Sequence, residues 1–224
     1  MAEVDSFEIR KGTVINDYKI VKRLGKGWEG EVYQVVEEYS GGKRVLKIFN
    51  PAEYRSKQIG KYCSKFETLS GVQGVIRYYH AGYWEDRDAY YLVMEYFEGR
   101  DLGELSKKPW PVFKALRTVR KVCHIINDCH SEKICVGDLH AGNILVDSIG
   151  CIRIIDIDFE AIHNNEYAVQ DVVSVSKLLY TLIGSADKLT DDLKKVLPMR
   201  ADAIRNRYKS TQQVLDALDE LMGK

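Results

Sequence analysis

The chain has 224 residues, near the upper length that one hydrophobic core supports, so we expect a single compact domain with room for two lobes. The 33 Lys and Arg residues balance 33 Asp and Glu residues, and this zero net charge argues against nucleic-acid binding through a broad basic surface. Hydrophobic residues make up 45% of the chain, and no apolar run approaches the roughly 20 residues of a membrane helix, so we expect a folded protein without membrane contact.

The N-terminal residues and the cysteines favour a cytoplasmic protein. The first eight residues, MAEVDSFE, are acidic and lack the apolar segment of a signal peptide. The cysteines show neither a Cys-x-x-Cys pair nor the cysteine–histidine spacing of a zinc site. We therefore expect reduced, mostly buried thiols at Cys63, Cys123, Cys129, Cys135 and Cys151.

The first half of the chain is predicted to form mainly strands. Alternating or apolar segments bounded by turn residues predict five strands, at 18–24, 31–38, 44–49, 75–82 and 89–96. Between the third and fourth strands, residues 52–70 carry apolar side chains at the spacing of one helix face.

The second half of the chain is predicted to form mainly helices. Apolar periodicity predicts helices at 112–129, 169–183 and 211–222, with two short apolar runs at 142–146 and 151–157 between the first two. Strands followed by helices indicate an α+β protein with two unlike lobes.

A glycine-rich segment joins the first two predicted strands. Gly25, Gly27 and Gly30, followed by Val32, form a Gly-x-Gly-x-x-Gly-x-Val pattern, and the residues after it look extended. Dinucleotide-binding versions of this pattern run from a strand into a helix, so a β-hairpin is favoured here. Glycines let backbone N–H groups approach phosphates closely, although a simple hairpin turn explains the same pattern.

Lys47 lies 17 residues after Gly30, inside an apolar strand where a lysine is unusual. From there its ammonium group can reach phosphate oxygens beneath the same sheet. An outward-facing edge lysine is the alternative.

Three polar residues recur at characteristic spacings in the second half. Asp138 is followed five residues later by Asn143, and Asp156 follows after a further 13, within VGDLHAGNILVD and the later IID. Asp, Asn and Gly also favour turns, so a structural interpretation exists. Carboxylate and amide oxygens on two short strands nevertheless suit Mg²⁺.

Together these motifs resemble the protein-kinase-like superfamily over roughly residues 18–183. The resemblance implies one kinase-like domain at 1–224, with an N-lobe at 1–96 of about five antiparallel strands and one helix, and a mostly helical C-lobe at 97–224. It implies that ATP and Mg²⁺ are bound, that Asp138 accepts the proton of the substrate hydroxyl, and that Asn143 and Asp156 hold the metal. ATP would contact the glycine-rich segment, Val32 and Lys47.

Residues 92–102, LVMEYFEGRDL, resemble the hinge between kinase lobes. By this resemblance Met94 is the gatekeeper, the backbones of Glu95 and Phe97 bind adenine, and Asp101 reaches the ribose. A buried strand that ends in a turn explains the apolar part equally. Asp171 resembles the aspartate that braces the catalytic-loop backbone.

The catalytic loop departs from the family pattern. Val136 and Gly137 replace its His-Arg, and His140 replaces its lysine, which makes the loop similar to aminoglycoside and choline phosphotransferases and to atypical bacterial kinases. His140 is interpreted either as a hydrogen-bond donor to phosphate or as a structural histidine.

The residues after Asp156 also depart from the family pattern. Ile157 replaces the glycine of Asp-Phe-Gly, and Asp158 is either an extra metal-site carboxylate or a polar strand end. Only 15 residues separate Asp156 from Asp171, which predicts a shortened activation segment.

Two glutamates are candidates for the helical partner of Lys47. Glu67, 20 residues after Lys47, is the favoured partner and Glu53 the weaker one. The residues before the next strand suggest a different register, which places Tyr62 at that position instead.

The resemblance therefore predicts a cytoplasmic, ATP- and Mg²⁺-dependent phosphotransferase, with Ser or Thr of a protein as acceptor and a protein substrate or partner. Neither nucleic acid nor a membrane is an expected partner. A small-molecule kinase of the aminoglycoside or choline type is the first alternative. A pseudokinase that acts as a nucleotide-dependent binding module is the second.

Overall fold

The computed structural model describes residues 7–185 and 188–223, which group into two compact units. The first unit holds the described residues up to Ser70, together with Ile76–Tyr96. The second holds Gly71–Val75 and the residues from Phe97 onwards.

The first unit is built on an antiparallel sheet. Its described strands are β1 (Val14–Ile15), β2 (Tyr18–Gly27), β3 (Gly30–Glu37), β4 (Lys43–Phe49), β5 (Tyr78–Trp84) and β6 (Ala89–Glu95), in the spatial order β1-β2-β3-β4-β6-β5. The predicted number was five, and β1 was missed because two residues are too short to show alternation. Alternate side chains such as Tyr33 and Val35, or Leu46 and Ile48, enter the core on one face.

The helix of this unit is α1 (Ser56–Thr68), within the predicted segment. Ile59, Tyr62 and Phe66 lie three or four residues apart and form its buried face. The strand predicted from residue 75 starts instead at Tyr78. Val75 forms a bridge with Ile154, and the N–H of Ile154 donates to the carbonyl of Gly74 at 2.7 Å, so these residues belong to the second unit.

The second unit combines a small sheet with helices. The described strands β7 (Arg100–Asp101), β8 (Ile144–Val146) and β9 (Ile152–Ile154) lie side by side in that order. The helices are α2 (Leu102–Leu105), α3 (Val112–Ser131), α4 (Asn165–Ile183), α5 (Asp191–Val196), α6 (Ala201–Arg207) and α7 (Thr211–Leu221). The predicted helices correspond to α3, α4 and α7. The sequence pattern did not reveal α2, α5 and α6, whose four to seven residues are too few to show a periodic apolar face.

Helices α3, α4 and α7 pack on one another. Helix α4 is buried on nearly all sides, as its continuous apolar sequence predicts, and Asn164 caps its start. The described helices include none that is both long enough and apolar enough to cross a membrane. The strands of the first half and the helices of the second half confirm the predicted α+β class.

Candidate active site

The glycine-rich segment is a β-hairpin, as predicted. Strands β2 and β3 are joined through Trp28 and Glu29, with Gly27 paired to Gly30. Gly30 has φ +149°, and a Cβ there would lie 1.9 Å from the carbonyl oxygen of Ile48, so this position requires glycine. A Cβ at Gly25 or Gly27 would meet no atom within 4 Å. Packing in the structure therefore does not require glycine at these two positions, and their open backbone is available to a ligand.

Lys47 lies inside β4 and its side chain is nearly buried. It is the cross-strand partner of Val32 on one side and of Leu92 on the other, so these three side chains share one face of the sheet. The Lys47 Nζ contacts Glu29 Oε2 at 2.5 Å, and only 11% of the lysine side chain and 22% of the glutamate side chain are exposed. Lys47 is therefore inward-facing and paired with a carboxylate, not an edge lysine.

Two tyrosines hold the same carboxylate. The hydroxyls of Tyr54 and Tyr62 donate to Glu29 Oε1 at 2.7 Å and 3.1 Å. Burial acts to raise the pKa of Glu29, but the charge and hydrogen bond of Lys47 and the two hydroxyls outweigh it, so the pKa lies below its ordinary value. Glu29 is thus held as an anion between Lys47 and the tyrosines.

The prediction that Glu67 pairs with Lys47 is wrong in this structure. Glu67 and the weaker candidate Glu53 are both exposed, whereas Tyr62 occupies the buried face of α1, as the alternative register suggested. Glu67 follows Tyr62 by five residues, which on a helix of 3.6 residues per turn places it on a different face. The sequence carries no direct signal for Glu29, although the apolar face of α1 offers Tyr62 rather than a glutamate.

The segment 92–102 supplies a strand end and a helix cap. Met94 is buried in β6, and the Glu95 N–H donates to the carbonyl of Arg77 at 2.8 Å. The carbonyl of Phe97 accepts from Gly99 N–H at 3.0 Å. Asp101 caps α2 by accepting the N–H of Glu104 at 2.7 Å. Roles of Glu95, Phe97 and Asp101 in nucleotide binding remain predictions.

The loop before β8 brings Asp138 and Asn143 into contact. The Asn143 Nδ2 donates to the backbone carbonyl of Asp138 at 3.1 Å and to its Oδ2 at 3.4 Å. Because the amide nitrogen is directed at Asp138, the amide oxygen of Asn143 points elsewhere. The Asp138 side chain itself is 65% exposed.

The β8–β9 hairpin places Asp156 at the same end as Asn143. Ile144 pairs with Ile154, and just beyond that pair the N–H of Ile155 donates to the carbonyl of Asn143 at 3.0 Å. Asp156 follows directly, and its Oδ1 accepts the N–H of Ile157 at 3.1 Å. Two residues 13 apart in sequence are therefore neighbours at one end of a short hairpin.

His140 shapes the turn between Asp138 and Asn143. Its Nδ1 accepts the N–H of Gly142 at 3.0 Å, so a neutral ring carries its proton on Nε2. This Nε2 lies 3.8 Å from Asp138 Oδ2. One ring nitrogen therefore has the structural role, and the other is a donor beside the Asp138 carboxylate.

Asp171 braces the loop that carries Asp138, as predicted. Its fully buried carboxylate accepts the N–H groups of Val136 and Gly137, both at 2.9 Å, and contacts His130 Nε2 at 2.8 Å. By accepting the two N–H groups, the carboxylate fixes the backbone one residue before Asp138.

Gly137 explains why the arginine of the family pattern is missing. Its φ is +79°, and a Cβ there would approach the Cβ atoms of Ala161 and Asp158 to 2.6 Å and 2.8 Å. Asp158 donates its N–H to the carbonyl of Val136 at 2.9 Å and accepts the N–H of Glu160 through Oδ1 at 2.8 Å. This backbone conformation excludes arginine, and Asp158 ties the segment after β9 to the backbone of Val136. A role of Asp158 in the metal site stays a prediction.

We expect the Asp171→Asn variant to lose about 1–3 kcal/mol of unfolding free energy, because the amide nitrogen cannot accept a hydrogen bond and leaves a buried N–H unsatisfied. Urea unfolding measures the loss. Asp216→Asn, on the exposed face of α7, is the matched control and should be near neutral. Equal stability of the two variants would contradict the role of Asp171 in stabilising the loop before Asp138.

The model of the family described as "Protein kinase domain" matches residues 18–179. The cAMP-dependent protein kinase type 3 of Saccharomyces cerevisiae is 30% identical over 191 residues, which cover 82% of this chain and 44% of that relative. Myosin-IIIa of Mus musculus is 26% identical over 157 residues, covering 64% of this chain and 10% of the relative. The chain therefore spans less than half the length of these relatives.

Among solved structures, the kinase domain of PknI from Mycobacterium tuberculosis superposes with a TM-score of 0.71 at 17% identity. The match covers 95% of this chain and 99% of the PknI chain. At this identity the likeness concerns the fold alone, and it confirms the predicted two-lobed architecture.

Proposed function

The chain belongs to the protein kinase domain family, and we propose that it transfers the γ-phosphoryl group of ATP to a hydroxyl, in a Mg²⁺-dependent reaction with Ser or Thr of a protein as acceptor. The observation that carries the proposal is the grouping of Asp138, Asn143 and Asp156 about one end of the β8–β9 hairpin. Phosphoryl transfer needs positioning and charge neutralisation more than covalent chemistry, so a few side chains suffice.

Asn143 and Asp156 would hold the metal. The Asn143 amide nitrogen is engaged with Asp138, which leaves its oxygen as the ligand atom, and Asp156 adds a carboxylate. Mg²⁺ prefers such hard oxygen donors and often takes only one or two carboxylates besides phosphate oxygens. The donor set therefore fits the ion, which when bound would neutralise phosphate charge.

Asp138 would orient the acceptor hydroxyl and take its proton. Its carboxylate is solvent-accessible, while the Asn143 amide restrains one oxygen and the backbone of the same residue. Asp171 fixes the preceding peptide, so the carboxylate is carried by a rigid loop. The His140 Nε2 adds a hydrogen-bond donor beside it, suited to a phosphate oxygen.

Lys47 and the β2–β3 hairpin would bind the nucleotide phosphates, with Glu29 as the residue that positions the lysine. The backbones of Glu95 and Phe97 would contact adenine, and Asp101 the ribose. Asp101 already caps α2 through one carboxylate oxygen, so a ribose contact would use the other.

A small-molecule acceptor is the second candidate. In the part of the chain that the structure describes, residues 155–164 between β9 and α4 contain neither helix nor strand. So short a segment supplies little surface for docking a peptide. Turnover of radiolabelled ATP against a panel of proteins and small hydroxyl compounds separates the two, and labelling of small compounds alone would contradict the protein assignment.

The metal assignment predicts a specific loss in the Asp156→Asn variant. Thermal stabilisation of the wild type by ATP should increase when Mg²⁺ is added, because a ligand that binds only the folded state stabilises it. In the variant this Mg²⁺-dependent increment should largely disappear, whereas Asp158→Asn should retain it. Equal stabilisation of wild type with and without Mg²⁺ would count against Asn143 and Asp156 as metal ligands.

A further inference from the structure

The second unit carries a cavity of about 730 Å³ away from the loop that holds Asp138. It is bounded by the end of α2, the first turns of α3 and the turn between β8 and β9. None of Asp138, Asn143 and Asp156 lines it. Its volume lies within the usual range for a ligand site.

Apolar side chains form one part of this cavity, which we call the α3 groove. Trp110 is buried at its base and Leu105 is half-buried beside it. Phe113 on α3 and Ile149 in the turn between β8 and β9 also line it and are 64% and 83% exposed. Large apolar side chains exposed together around a concavity indicate a surface that is covered by a partner.

Cations form the other part. Lys114, Arg117 and Lys121 follow one another at spacings of three and four, so they lie along one face of α3. Among the described residues none of the three has a carboxylate partner within ion-pair distance, in contrast to Arg120 on the same helix, which pairs with Asp219. The Lys121 Nζ donates to the carbonyl of Gly150 at 2.8 Å.

The acidic groups that line or border the groove do not neutralise these cations. Asp147 Oδ1 accepts the N–H groups of Ile149 and Cys151, so it serves the turn between β8 and β9. Arg100 pairs with Glu104 at 2.9 Å. Glu98 is exposed at the rim. The face of α3 therefore remains cationic beside an apolar surface.

From this combination we infer that the α3 groove docks an acidic peptide segment with one or two apolar side chains. The apolar residues would pack on Phe113 and Ile149, and the carboxylates would meet Lys114, Arg117 and Lys121. The role of this docking rests on the proposed function. Because residues 155–164 supply little surface for a peptide, the α3 groove would bind the protein substrate at a distance from Asp138. Binding itself needs neither ATP nor catalysis.

Fluorescence anisotropy tests the proposal with a short labelled peptide that carries two Leu residues flanked by Glu and Asp. Two control peptides replace the acidic residues with Lys, or the Leu residues with Ser. We expect saturable binding of the first peptide alone, weakening as salt rises. The triple variant Lys114→Ser, Arg117→Ser, Lys121→Ser should weaken binding at least about tenfold, and so should Phe113→Ser.

The matched control removes three exposed lysines from the first unit, Lys11→Ser, Lys19→Ser, Lys22→Ser, with the same change of net charge. Equal weakening by both triple variants, or equal binding of the acidic peptide with Ser in place of Leu, would overturn the groove as a docking site. Circular dichroism melting verifies that each variant is folded. Peptide binding without ATP turnover would contradict the proposed kinase activity but support the α3 groove as a docking site. ATP turnover without peptide binding would support the kinase activity and overturn the docking site.

Discussion

The Asp138→Asn variant is expected to lose about two to four orders of magnitude in the rate of phosphate transfer from ATP. The substitution keeps the size of the side chain and its contact with Asn143. However, an amide cannot take up the proton of the hydroxyl group that receives the phosphate. Its effect on stability should stay within about 0.5 kcal/mol, because the side chain is mostly exposed. Radiolabelled phosphate transfer under saturating ATP measures the loss.

Asp128→Asn, on the exposed face of α3, is the control for this variant and should transfer phosphate at the wild-type rate. Nucleotide binding to Asp138→Asn, followed by thermal shift, should also stay at the wild-type level. If wild type and Asp138→Asn both lack turnover while ATP still alters partner binding, the protein is a nucleotide-dependent binding module and the enzyme assignment fails.

The predictions succeeded where the chemistry is local in sequence. The glycine pattern implied a hairpin because an extended segment follows it directly, and Gly30 does sit where a side chain would collide with β4. The kinase resemblance implies that Asn143 and Asp156 lie together, and the β8–β9 hairpin does bring the residues just outside it to one end. Such relations follow from periodicity and turn geometry, which a single sequence displays.

The predictions failed where side chains distant in sequence decide the arrangement. Nothing in the spacing shows that a carboxylate at a hairpin turn reaches a lysine 18 residues later, because the contact depends on side-chain direction and on hydroxyls from two further positions. Likewise, Val75 has the composition of a strand in the first sheet, yet its bridge to Ile154 assigns it to the second unit. Tertiary contacts override local preference in both cases.

The departures from the family pattern are physically connected. Gly137 is required by a positive φ and by the close approach of Ala161 and Asp158, so the backbone of the loop packs directly against the residues that follow β9. Asp158 ties the same residues to the carbonyl of Val136. An arginine at position 137 and a longer segment after Asp156 would each displace this packing. We therefore interpret the short segment and the missing arginine as one structural feature.

The Glu29→Gln variant tests the partner of Lys47, which the structure places at Glu29 instead of at the predicted Glu67. The substitution removes the charge of Glu29 from beside a nearly buried ammonium group, and we expect a loss of about 1–3 kcal/mol of unfolding free energy near neutral pH. We also expect phosphate transfer to fall at least about tenfold, because Lys47 is no longer held in place. Urea unfolding and radiolabelled transfer measure the two effects.

The stability difference between wild type and Glu29→Gln should itself depend on pH. The pKa of Glu29 in the folded protein lies below its ordinary value of 4.5, so its ionised form is favoured by folding. This contribution is complete above the ordinary pKa and is lost as the pH falls through the lowered one. The two proteins should therefore differ by a constant amount from neutral pH to about pH 5 and converge on further acidification.

Glu67→Gln is the matched control, since it removes an exposed glutamate from the same unit. It should leave stability and phosphate transfer at the wild-type level, because an exposed side chain away from Lys47 contributes little to either. Tyr62→Phe should produce a smaller loss than Glu29→Gln, since one hydroxyl donor disappears and the ion pair stays. The opposite ranking, a sensitive Glu67 beside a neutral Glu29, would restore the helical glutamate as the residue that positions Lys47.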